Sequence, residues 1–77
     1  MPTSKASELF RHNVATVMAD RGISHGDLAT GIGTKRPAIS KILAGREGVT
    51  LDRAERIAKF LGFPLSALVG EKIEQHA

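Results

Sequence analysis

His25-Gly26-Asp27-Leu28-Ala29-Thr30-Gly31-Ile32-Gly33-Thr34-Lys35-Arg36-Pro37-Ala38-Ile39-Ser40-Lys41-Ile42 is the stretch on which the fold of this chain turns. Counted from His25, apolar residues fall at the fourth and eighth positions (Leu28, Ile32), alanine at the fifth (Ala29) and glycine at the ninth (Gly33). Apolar residues return at the fifteenth and eighteenth (Ile39, Ile42). The pattern describes two short helices crossing at close range. Ala29 is small where the helices touch, Gly33 turns the chain between them, and the isoleucines hold the second helix against the first. Ser24 is placed to cap the earlier helix, expected over about 25–32, with Asp27 at its third position, where the helix dipole favours an acid. Thr34 or Lys35 caps the later one, expected over about 35–44. Pro37 falls in its first turn, where the missing N–H leaves no hydrogen bond unmade, and Gly45 stops it.

Outward from this pair the same helical period continues. Phe10, Val14, Val17 and Met18, with Leu9 alongside, predict a first helix from about Ser7 to Arg21, closed by Gly22. After the loop 46–49, Thr50 caps a fourth helix with Asp52 in its first turn, expected to bury Leu51, Ala54, Ile57, Ala58 and Leu61. Gly62 ends it, Pro64 leads into a fifth, and Leu65, Leu68 and Val69 form the fifth helix's apolar face. The prediction is all-α, one domain over 1–77, with a core over about 7–70 and flexible tails at 1–6 and 71–77. Helices this short are unstable alone and form because they pack together.

The chain of 77 residues contains no cysteine, which excludes disulfides, thiolate zinc sites and a cysteine nucleophile. No apolar run approaches the roughly 18 residues of a membrane span, so a soluble, cytoplasmic protein is expected. Eleven Lys and Arg against eight Asp and Glu give a net charge of +3. That excess argues for a polyanionic partner only where it is concentrated. It is concentrated between Thr34 and Arg46, which carry Lys35, Arg36, Lys41 and Arg46 and no acid. On a helix turning about 100° per residue, Ile39, Ile42 and Leu43 share one third of the circumference. Pro37, Ser40, Lys41 and Ala44 lie roughly opposite, with Arg36 at the edge. Cations and small residues without interspersed Glu suit close approach to a polyanion, and about 10 residues is a length that the major groove of B-DNA admits.

From Phe10 to Val69 the chain resembles the Cro and phage-repressor-type helix-turn-helix family. The resemblance rests on Gly22-Ile23-Ser24, Leu28-Ala29, Ile32-Gly33, Ile39-Ser40-Lys41-Ile42, Gly45, Thr50-Leu51, Ile57-Ala58-Lys59 and Leu61-Gly62. It implies a compact five-helix, lambda repressor-like domain whose second and third helices form the helix-turn-helix. The function it implies is a DNA-binding transcriptional regulator, with the third helix in the major groove of double-stranded DNA. Carried onto this sequence, Arg36, Pro37, Ser40 and Lys41 are base-reading candidates, with Ala38 nearby. Arg36 is suited to a bidentate contact with guanine. His25, at a position often occupied by a phosphate-binding glutamine in relatives, joins Thr34, Lys35 and Arg46 as phosphate candidates, with Arg11 and Arg53 less central. Many relatives pair an arginine late in the first helix with a glutamate late in the third; here Met18 and Leu43 stand there, so an apolar contact is expected in place of a charged one.

The expected protein is a Cro-like repressor without an effector domain, since ligand sensing or self-cleavage would need additional residues. One small module rarely buries enough surface for tight specific binding, so a homodimer is expected, with Leu65, Leu68, Val69 and Ile73 of the fifth helix and tail as the candidate dimer surface. An antitoxin-type protein, which binds a toxin partner and regulates its own operon, is the alternative. Catalysis, cofactors, metals and small-molecule ligands are not expected. Gly31-Ile32-Gly33-Thr34-Lys35 has the wrong order for a phosphate loop and follows no strand. His12, His25 and His76 lack metal-ligand spacing. The three aromatics, Phe10, Phe60 and Phe63, all sit at core-like positions, which leaves no base-stacking platform for single-stranded RNA.

Overall fold

The structure, a computed structural model, describes residues 5–71. These form α1 (Lys5–Arg21), α2 (His25–Ile32), α3 (Arg36–Leu43), α4 (Leu51–Leu61) and α5 (Leu65–Gly70), and no strand is found among the described residues. The described residues share one core, built from Phe10, Val14, Val17 and Met18 of α1, Leu28, Ala29 and Ile32 of α2, Ile39 of α3, four residues of α4 and Leu68 of α5. α1 packs on α5 and α2 on α3, while α4 lies against both α2 and α5.

Local chemistry explains most of the boundaries. Ser24 Oγ accepts the Asp27 N–H at 3.0 Å, and the Asp27 carboxylate accepts the Ser24 N–H at 3.1 Å, so each of two N–H donors without a helical partner is satisfied by the other residue's side chain in a capping box. Those bonds hold the Asp27 carboxyl below its ordinary range, the Ser24 backbone bond first. Gly33 takes φ 76° at the turn between α2 and α3, where Thr34 N–H reaches back to Ala29 O at 2.8 Å. Of the two cap residues left open for α3, Lys35 holds the position, without a side-chain bond, because an ammonium cannot accept from a backbone N–H. Gly45, at φ 76°, and Arg46 close α3 through bonds to Ile42 O (3.1 Å) and Lys41 O (3.0 Å), the Schellman arrangement. Thr50 Oγ1 caps α4 by accepting the Arg53 N–H at 3.2 Å.

Four expectations need correction. α1 starts at Lys5, two residues before the expected Ser7, so Lys5 and Ala6 belong to the helix and not to a tail; its apolar stripe marks where burial begins, not where hydrogen bonding does. Leu51 is 68% exposed: it shares the angular position of the α4 stripe but sits in the first turn, beyond the height at which other helices cover it. Phe60 is 42% exposed and lies over α2 at the edge of the core. Leu68, offered as part of a dimer surface, is fully buried in the core of the single chain, with Leu65 and Val69 half-buried beside it. Ile73 lies outside the described residues.

Two polar clamps fix the ends of the domain. Asn13, completely buried on α1, donates to Leu68 O and Glu71 O, both at 2.8 Å, satisfying carbonyls at the C-terminal end of α5. Arg21 donates to Leu61 O at the end of α4, and its guanidinium stands 5.2 Å from the centre of the Phe63 ring. Neither clamp is foreseen from the sequence, although Asn13 falls between Phe10 and Val14 on the buried face, and a polar residue there needs buried partners.

Candidate nucleic-acid interface

The core grips α3 through Ile39 and Ile42, which are 0% and 1% exposed. Its opposite side is left to solvent: Arg36, Pro37 and Lys41 are exposed, and Ser40 and Ala38 are half-buried. Around the helix axis, Arg36, Ser40, Pro37 and Lys41 span about 140°, one continuous face. Lys35 and Arg46 are exposed at the two ends of the helix, and Thr34 is half-buried in the turn before it. The Arg46 N–H bond to Lys41 O fixes the direction in which Arg46 leaves α3.

None of these cations has a carboxylate partner among the described residues. The ion pair found there, Arg56 to Asp52 at 3.3 Å, is on α4. Four cations, uncompensated and distributed over one short helix and its ends, make a local positive field that a polyanion could neutralise. Arg11 adds a fifth from α1: a Cβ placed on Gly45 would stand 3.4 Å from Arg11 Nε, so this guanidinium lies beside the C-terminal end of α3. The structure therefore brings Arg11 to the face; Arg53 is half-buried at the start of α4.

His25 is the first residue of α2, and its Nδ1 lies 2.9 Å from Ser40 Oγ on α3. A phosphate candidate and a base-reading candidate are thus hydrogen-bonded to each other, which no spacing rule anticipates because it depends on the angle at which the two helices cross. The pair stands at the polar rim of a recess of about 440 Å³, whose apolar lining includes Met18, Ile23, Leu43 and Ala44. Met18 and Leu43, between which a direct apolar contact is expected, both line this recess between α1 and α3. No group of three or more His, Cys, Asp or Glu able to hold a metal ion occurs among the described residues.

A buried helix carrying a cationic outer face, set against a capped helix across a glycine turn, is the geometry of a helix-turn-helix. Comparison with protein families agrees, since a family model described as helix-turn-helix matches residues 15–68. The chain belongs to the Cro/phage-repressor-type helix-turn-helix family. The matched span of this helix-turn-helix protein runs from the middle of α1 to Leu68 of α5 and so takes in the whole α2–α3 unit. Comparison with curated proteins and with solved structures gives no match. The family consists of DNA-binding regulators, and no helix among the described residues is long and apolar enough to cross a membrane.

Proposed function

We propose that this protein is a sequence-specific repressor that inserts α3 into the major groove of double-stranded DNA. The observation that carries this reading is the unpaired cationic face of α3, held outward by Ile39 and Ile42. Arg36, at the first position of the helix, reads guanine; Lys41 and Ser40 contact neighbouring base edges; Pro37 sets the start of the helix and meets a thymine methyl. His25, Thr34, Lys35 and Arg46 hold the flanking phosphates, with Arg11 alongside. No catalytic step is part of this function.

One module of this size buries too little surface for tight specific binding, so a homodimer spanning half-sites about one helical turn apart is proposed. Leu65 and Val69, half-buried on α5, remain available to its interface, whereas Leu68 does not. The exposed Phe60 is the feature that favours the antitoxin-type alternative, in which a second protein covers a surface away from α3.

In vitro selection of duplex sites, with the stoichiometry of the complex, tests the reading. A single operator half-site should emerge, bound by two chains per full site. Arg36→Ala should then lose discrimination at one guanine per half-site, while Lys35→Ala and Arg46→Ala should weaken binding to all sequences and reduce the salt slope by about one per phosphate contact. An operator ranking unchanged by Arg36→Ala would overturn the base-reading assignment.

A further inference from the structure

We propose that the His25–Ser40 hydrogen bond makes the base preference of Ser40 depend on the protonation state of His25, so that one base pair of the operator is read differently at acid and at neutral pH. The proposal rests on the placement of α3 in the major groove argued above. Its observation is the contact of 2.9 Å between His25 Nδ1 and Ser40 Oγ, which ties the first residue of α2 to the outer face of α3.

A serine hydroxyl has one proton and two lone pairs, and the bond to His25 occupies one of these three. When the imidazole is neutral with its proton on Nε2, Nδ1 is an acceptor. The Ser40 O–H then points at His25, and only lone pairs remain for the groove. Those accept from the amino groups of cytosine or adenine. When the imidazole is protonated on both nitrogens, Nδ1–H donates to Ser40 Oγ, and the hydroxyl proton is released toward the groove. It then donates to guanine O6 or N7, or to thymine O4.

A phosphate contact at Nε2 is compatible with both states, because Nε2–H donates in each. The remaining neutral tautomer would turn a bare lone pair toward the phosphate and is disfavoured in the complex. Titration therefore leaves the sign of the phosphate contact unchanged and reverses the hydrogen-bonding sense of Ser40. Imidazoles ordinarily exchange their proton between about pH 5 and 8, the range in which DNA binding can be measured.

The charged surroundings are simple. The α1 residues lining the recess beside His25, namely Ala15, Met18 and Ala19, carry no charge. On α2, the Asp27 carboxylate is engaged by the Ser24 N–H. On α3, Arg36 precedes Ser40 by one turn and Lys41 follows it directly.

The test measures affinity for operator duplexes that vary the base pair at each half-site position, at pH 5.5 and pH 8.0 and fixed ionic strength, by fluorescence anisotropy. At one position the preferred base should move from cytosine at pH 8.0 to guanine or thymine at pH 5.5, with adenine, which offers both N6–H and N7, tolerated at both, and with a change in relative affinity of roughly threefold to tenfold. Ser40→Ala, which gives up a base contact and so binds more weakly, should show the same base ranking at both pH values. His25→Gln, whose side chain does not titrate, should give one ranking at both pH values.

A wild-type ranking that is identical at the two pH values, or a shift that survives in Ser40→Ala or His25→Gln, overturns the proposal while leaving the DNA-binding reading in place. Failure to select any duplex at either pH would overturn both.

Discussion

Gly31 and Phe60 make a pair whose energetics can be worked from their geometry. A Cβ added to Gly31 would stand 2.2 Å from Phe60 Cε1, 2.5 Å from Cδ1 and 2.8 Å from Cζ, so an alanine there and the ring in its present position are mutually exclusive. In Gly31→Ala the ring must swing into solvent. A fully buried aromatic removes roughly 150–250 Å² from water, and Phe60, at 42% exposure, removes a little over half of its surface. At about 25 cal/mol per Å², the lost burial is worth about 2–3 kcal/mol. Alanine in place of glycine in a helix returns up to about 1 kcal/mol, less so near the C-terminal end of α2. Gly31→Ala should therefore destabilise the protein by about 1–2 kcal/mol, and Phe60→Ala by about 2 kcal/mol. In the Phe60→Ala background, however, Gly31→Ala should stabilise by about 0.5–1 kcal/mol, because the obstruction is gone. Urea denaturation of the four proteins gives the coupling energy, expected at about 2 kcal/mol. Stabilisation by Gly31→Ala of equal size with and without the ring would refute the argument.

Asn13→Ala removes, among its contacts, the hydrogen bonds to Leu68 O and Glu71 O, of about 0.5–1.5 kcal/mol each, and leaves the buried Leu68 carbonyl without that donor, so a loss of at least about 2–4 kcal/mol is expected, read as a fall of roughly 10–25 °C or more in melting temperature. A drop under a few degrees would mean that α5 docks without this clamp. The capping box gives a pH signature of known sign. The folded-state pKa of Asp27 lies below its reference value of 3.8, so its contribution is fully present above that value and disappears as the pH falls through the lower, folded-state value. Wild type should melt above Asp27→Asn near neutral pH, with the gap closing below about pH 4; a gap that persists unchanged at pH 2 would contradict the assignment.

The sequence carried the fold well because each boundary has its own chemical cause. Ser24 with Asp27, Gly33, Pro37, Gly45, Thr50 and Gly62 are local signals, readable without knowing what lies across the core, and α2 matches its expected span of 25–32. What failed required knowledge of the third dimension. Leu51 occupies a reasonable angular position on α4, but angle does not say whether another helix reaches that height along the axis; Phe60 lies about 60° beyond Ile57, the nearest residue of the buried stripe, and so reaches α2 only at the edge of the core. Asn13 and Arg21 find partners 40 or more residues away in sequence, in carbonyls that become available only once α4 and α5 have ended. The outward face of α3 was legible in kind, since hydrophobic period and charge agree there. The bond between His25 and Ser40 was not, because it follows from the crossing of two helices and not from either one.

The apolar character of Met18 and Leu43, between α1 and α3, bears on how this domain separates folding from binding. A salt bridge between α1 and α3 would make the position of the reading helix depend on ionic strength, as the affinity for DNA must. In this protein α3 is seated by the buried Ile39 and Ile42, with Leu43 packed against the same core, apolar contacts that salt does not screen. The ion pair that is found, Arg56 to Asp52, is 62% and 79% exposed and lies on α4; pairs of this kind contribute at most about 0.5 kcal/mol. Salt is therefore expected to act chiefly on the outer face, through Lys35, Arg36, Lys41 and Arg46, and much less on the apolar contacts that seat α3. A net charge of +3 is a weak indicator in itself. Its force here comes from an apolar interior that leaves every cation of α3 and its flanks without an internal partner, free to be neutralised by phosphate.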